Sequence, residues 1–97
     1  MEFGIRPGVL DEIRQLAEIY HIEKVILFGS RARGDYKRTS DIDLAVSGGD
    51  VVRFALAADE ETSTLLMYDI VDLDGPVQDE LRQSIEREGI VIYEKVR

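Results

Sequence analysis

Residues 29–44 read GSRARGDYKRTSDIDL. A glycine-serine pair follows the apolar run KVILF (24–28), basic side chains come next, and two aspartates then alternate with Ile42 and Leu44. Side chains two apart on a strand share a face. A strand over 41–46 (DIDLAV) therefore projects Asp41 and Asp43 together, with Cα atoms roughly 6–7 Å apart. At ~4 Å and an effective dielectric of ~20, two like charges repel by about 4 kcal/mol. That is a large share of the ~5–15 kcal/mol that holds an ordinary domain together. Such a pair splays into water, retains a proton or holds a cation. Oxygen donors with no His or Cys beside them favour Mg2+ or Mn2+ over zinc.

Upstream of the pair, Lys24 to Phe28 reads as a strand covered on both faces, and Gly29 ends it. A strand that leads into Gly-Ser and a short helix brings backbone N–H groups together at a place suited to an anion. Gly29 permits close backbone approach, Ser30 offers a hydroxyl, and Gly34 lets the chain turn out again. No GxxxxGK[ST] string is present, so this is not a Walker P-loop. Arg31, Arg33, Lys37 and Arg38 place four of the twelve Lys and Arg residues within eight positions. A Gly-Ser turn for the phosphates of a nucleotide, bridged by metal to two aspartates, is the apparatus of phosphoryl or nucleotidyl transfer.

The rest of the chain supplies the frame. After the breaker Pro7-Gly8, apolar residues from Val9 to Tyr20 fall at helical spacing. Asp50 is a good N-cap for a helix over Val51–Leu66, with an interruption near Thr62-Ser63-Thr64. Met67–Leu73 reads as a third strand. Asp74-Gly75-Pro76 is a turn that puts Pro at or near the first position of another helix, one whose face is Val77, Leu81 and Ile85 and whose end is Gly89. Ile90–Glu94 is the last strand. Helices alternating with strands indicate an α/β fold in one domain over residues 1–97, with helices packed on one small sheet. Asp69 interrupts the third strand's apolar run as Asp41 and Asp43 interrupt theirs. It is favoured over Asp72, which is nearer the turn and easier to solvate, as the third carboxylate of a two-metal site.

Composition bounds the partners. The formal net charge is −8, which argues against a general nucleic-acid binder. A local basic site on an acidic body suits a small anionic ligand. No apolar run approaches the roughly 20 residues that span a membrane, and the N-terminal stretch lacks an apolar signal core. There is no cysteine, which fits a reducing cytoplasm. The Ala55–Ala58 stretch suits close helix packing within the fold or a homo- or hetero-oligomeric interface. His21 reads as a surface residue at a helix end, and Tyr68 and Tyr93 as sheet or core residues.

Gly29-Ser30, ten residues, then Asp41-x-Asp43 resembles the GS-x10-DxD signature of the polymerase-β-like nucleotidyltransferases. The fuller string resembles their minimal nucleotidyltransferase (MNT) branch, with its GSxARG and SDxDL halves both intact. The resemblance implies a mixed β-sheet flanked by helices. It implies that Gly29 and Ser30, with Arg31 and Arg33 beside them, hold an ATP triphosphate. Asp41, Asp43 and Asp69 become the catalytic, metal-binding carboxylates, with Mg2+ or Mn2+ as cofactor. It further implies the antitoxin of a toxin-antitoxin pair, one that silences a HEPN-type toxin by transferring AMP to a tyrosine hydroxyl. The rival reading is a non-catalytic module that neutralises its partner by occlusion. A template-directed polymerase fits poorly, because the chain is short and acidic.

Overall fold

The structure, a computed structural model, describes residues 1–96. Its elements run α1 (Pro7–Ile19), β1 (Lys24–Phe28), α2 (Gly29–Arg33), β2 (Ile42–Ser47), α3 (Val51–Glu61), β3 (Tyr68–Asp72), α4 (Asp79–Glu88) and β4 (Ile90–Glu94). The four strands form one mixed sheet in the order β3-β2-β1-β4. β1 is antiparallel to both neighbours, and β2 and β3 are parallel, joined by the α3 crossover. The α/β class and the mixed sheet flanked by helices are as expected.

Each face of the sheet has its own core. On one face, Val9, Leu10, Ile13, Leu16 and Ala17 of α1 and Phe54 and Ala57 of α3 cover Val25, Leu27, Ile42, Leu44, Val46 and Ile92. On the other, Ile85 of α4 packs with Phe28 and Ala45, flanked by Ile26, Val71, Leu73 and Leu81. α1 is tied to the sheet's β4 edge by Arg14, whose Nε donates to the Ile92 carbonyl at 2.8 Å.

β2 forms over 42–47 where 41–46 was expected, so Asp41 lies outside it, and β3 is one residue shorter at each end than 67–73; three helix boundaries depart as well. Pro7 does not hold the first helix off; it is the helix's opening residue, where its fixed φ suits the helix and its missing N–H is not needed. α3 stops at Glu61, before Leu66. Thr62 turns extended, and its Oγ1 donates back to the Ala58 carbonyl at 2.6 Å. Glu12 of α1 then captures Ser63 through both its amide and its hydroxyl, each at 2.9 Å. Pro76 lies in the loop ahead of α4, which begins at Asp79 after Gln78, whose carbonyl accepts from the Arg82 amide at 3.0 Å. Two acids in its first turn, Asp79 and Glu80, face the positive end of the helix dipole.

Arg31 holds the segment that leads into β2. Only 1% exposed, its guanidinium donates to the carbonyls of Ser40 (2.8 Å from Nη2, 3.1 Å from Nε), Arg38 (3.3 Å) and Lys37 (3.5 Å). From the other side it donates to the carbonyls of Phe3 (3.1 Å) and Gly4 (3.2 Å). Those two residues form a tight turn with positive φ at both (60° and 67°), closed by the Ile5 amide on the Glu2 carbonyl at 2.9 Å. The Tyr36 ring lies 5.0 Å from the guanidinium. One planar fork with five donors thus satisfies carbonyls that no strand or helix serves. Arg31→Met should cost on the order of 3 kcal/mol, because it strands these carbonyls; urea unfolding reads the loss as a lower midpoint at unchanged slope. Arg31→Lys should recover less than half of it, since an ammonium cannot span both sides.

Candidate active site

β1 delivers the chain to Gly29, whose φ of +73° is a conformation that side chains with a Cβ rarely adopt. The antiparallel register sets Phe28 opposite Asp43. A Cβ on Gly29 would lie 2.1 Å from Oδ2 of Asp43. Glycine is therefore required twice here, once for the turn and once because the carboxylate occupies the space. α2 is a single helical stretch that ends at Gly34 (φ 94°), whose amide donates to the Ser30 carbonyl at 2.8 Å.

The parallel register decides which carboxylate joins Asp43. Asp43 pairs with Asp69, and Val46 with Asp72. Paired residues on neighbouring strands project to the same face. Asp69 therefore stands beside Asp43, while Asp72 points to the opposite face, near α3. Asp41 sits one residue before β2 and is exposed. Following β2 and β3 back from the α4 core, Ala45 gives way to Asp43 and Val71 to Asp69. The helix covers one half of this face, and the carboxylates occupy the other.

The electrostatics follow from that placement. Asp43 is half-buried, and burial first, then the charges of Asp69 and Asp41, push its pKa above the usual carboxylate range; Arg33 and Arg31 pull the other way. Arg33 is exposed and donates to Glu88 of α4 at 3.0 Å and to Asp35 at 3.4 Å. These bonds, Glu88 before Asp35, hold it firmly protonated. Arg31, grouped with Arg33 at the phosphates by the sequence reading, is instead walled in by the carbonyls described above, and its charge reaches the site only through space. Lys37 and Arg38 are exposed on the loop. Among the described residues, no three His, Cys, Asp or Glu side chains converge as a ready-made metal cage. The three aspartates are adjacent rather than convergent, an open row of oxygen donors.

Two participants were not foreseen. Glu88 latches Arg33 from fifty-five positions away and carries no signal in a helix end rich in acids. Ser40, whose carbonyl Arg31 grips, fixes the residue just before Asp41, and its Oγ accepts from the Lys37 amide at 2.8 Å.

The chain is similar in sequence and in fold to known proteins. A model of the family described as “Polymerase beta, Nucleotidyltransferase” matches residues 11–97. “Putative protein adenylyltransferase MJ0604” of Methanocaldococcus jannaschii is 38% identical over 82 residues, 74% of this chain and 79% of that protein. Among solved structures, a toxin-antitoxin with AMP-PNP superposes with a TM-score of 0.66 at 26% identity, over 89% of this chain and 73% of that one. A mutant of the toxin-antitoxin MntA-HpeT superposes with a TM-score of 0.67 at 25% identity, over 88% and 72%. A family match that runs from within the first helix through the last strand, on the expected mixed sheet flanked by helices, places this chain in the polymerase β nucleotidyltransferase family and makes it a nucleotidyltransferase.

Proposed function

We propose that the chain moves AMP from ATP to a hydroxyl of a partner protein, a tyrosine of a HEPN-type toxin, and so serves as the antitoxin of the pair. The observation that carries the reading is the row formed by Asp43 and Asp69 against the bare Cα of Gly29. The adenylyltransferase relative supports AMP as the group moved. The toxin-antitoxin structures, one holding AMP-PNP, support ATP and a protein partner. No helix among the described residues is long and apolar enough to cross a membrane; an ATP-dependent role in the cytoplasm suits the cysteine-free chain.

Each side chain has a task. Gly29 lets the backbone approach the triphosphate, and Ser30 adds a hydroxyl. Arg33 offers positive charge on the same side as Asp43. Asp41, Asp43 and Asp69 have the donor chemistry for Mg2+ or Mn2+. Their open row suits a cation that takes a few carboxylates and completes its shell with substrate phosphates. When bound, the metal neutralises the triphosphate and the departing pyrophosphate. Asp69 receives the proton of the acceptor hydroxyl as that oxygen bonds the α-phosphorus and the bond to pyrophosphate breaks.

With ATP labelled at the α-phosphate, Mg2+ and a lysate containing the partner, Asp43→Asn should reduce protein labelling at least 100-fold, in line with the loss of an electrostatic contact made in the transition state. Normal labelling by that variant would overturn the mechanism, and persistent neutralisation of the partner without labelling would favour occlusion. Asp69→Asn should fail to a similar degree, whereas Asp72→Asn, on the other face, should stay within a few-fold of wild type.

Stability should move the opposite way. Because the folded state raises the pKa of Asp43, it binds that proton more tightly than the unfolded chain does. Asp43 thus favours the fold in acid and opposes it once ionised. Asp43→Asn should therefore melt a few degrees above wild type at neutral pH. The gain should shrink as pH falls through the interval just above the ordinary carboxylate range. A thermal series across pH checks both sign and window.

A further inference from the structure

The face opposite the carboxylates carries an open groove of about 470 Å3 between α3 and the sheet's β3 edge, lined by Val51, Val52, Ala55, Leu56, Tyr68 and Ile70, with Asp59 and Asp72 among its walls. Val52 and Leu56 are 70% and 58% exposed, although they lie four apart on one helix and so form a stripe. The connection into β3 adds exposed Leu65 and Met67. β3 pairs only with β2, so its outer edge is uncovered, which a soluble protein ordinarily avoids.

Charge decides what fits there. Both charged residues that line the groove, Asp59 and Asp72, are acidic, Glu60 and Glu61 follow Asp59 in sequence, and residues 50–74 contain one base, Arg53. Arg53 is itself paired with Asp50 at 3.4 Å. A second copy of this chain would bring the same acidic surface against itself. A partner helix with an apolar stripe between basic flanks would bury Val52 and Leu56 and meet Asp59 and Asp72 with opposite charge. The small side chain of Ala55 lets such a helix approach to the 8–10 Å typical of packed helices.

We propose that this α3–β3 groove is the docking surface for a cationic amphipathic helix of a partner protein. The helix would lie alongside α3 and extend its layer beyond the sheet edge. β3 carries Asp69 on its other face, so a protein seated at this edge stands next to the carboxylate row. That the docked protein is also the acceptor rests on the transferase reading; the groove's preference for a basic helix does not.

The test uses the intact protein and three synthetic peptides of about 18 residues, five helical turns: a Leu/Lys amphipathic helix, a Leu/Glu counterpart, and a Ser/Lys counterpart without the apolar face. Amide chemical-shift mapping should place the Leu/Lys peptide on α3 and β3, and anisotropy should rank it first. Leu56→Ser should weaken it about tenfold, the worth of one buried leucine contact. Val91→Ser, another exposed apolar site, on β4, should leave it unchanged. Asp59→Lys/Asp72→Lys should reverse the preference toward the Leu/Glu peptide. Mapping elsewhere, equal loss in Val91→Ser, equal binding of the Ser/Lys peptide, or a dimer of the free protein abolished by Leu56→Ser would overturn the proposal. Asp43→Asn should keep full peptide affinity, so a failure of the transferase chemistry shows in label transfer alone.

Discussion

The site is organised by a contact that only glycine can make. The Asp43 carboxylate lies where a side chain on residue 29 would stand, and this fixes the geometry of everything around it. β1 and β2 must hold the register that sets Phe28 across from Asp43, and the chain must leave β1 through a positive φ. α2 must follow at once, beginning at Gly29 itself. The parallel partner strand then adds Asp69 to the row. The bare backbone at Gly29 and the Asp43 carboxylate are not two features brought together; they are two sides of one close approach.

That approach has an electrostatic cost. Three acids share the uncovered half of a sheet face whose other half α4 has sealed with Ile85 and its neighbours. Partial burial and like charges raise the Asp43 pKa, a strain that function concentrates at such sites. The surroundings oppose it from behind. Arg31 gathers the carbonyls of two otherwise unsupported segments, and the charge of exposed Arg33, with that of buried Arg31, pulls the Asp43 pKa back down. A residue that looks like a ligand-binding cation in sequence thus acts as the frame of the loop that leads into β2.

Much of this was legible in the chain. The branched run at 24–28 and the N-cap Asp50 specify their elements by local rules, and both formed; the strand expected over 41–46 formed one residue later, over 42–47, which leaves Asp41 just outside it. Asp41 and Asp43 stood out because carboxylates are costly where a strand builds core. What was not legible depends on contacts distant in sequence. The choice between Asp69 and Asp72 needs the β2–β3 register, since spacing within β3 says only that they oppose each other. The early end of α3 needs Glu12, on another helix, to hold Ser63. The burial of Arg31 needs the N-terminal turn at Phe3-Gly4 to close over it, and no periodicity announces that turn. The Glu88–Arg33 pair depends on α4 folding back over the end of β1.

The strand order also bears on how the chain is made. Lys24 at the start of the central strand has Ser47 on one side and Glu94 on the other. During synthesis the first hairpin, and with it the Gly29–Asp43 contact, can form early. The far edge of β1 stays open until the last strand leaves the ribosome, and the α1 arginine that caps β4 waits with it. In that order the nascent protein would assemble Gly29, Asp43 and Asp69 before it closes its sheet, with one edge of the central strand still open while those residues already stand together. Edge-protecting factors would have that interval to act in, and truncation ahead of residue 90 would leave a nearly complete site on a sheet lacking one side.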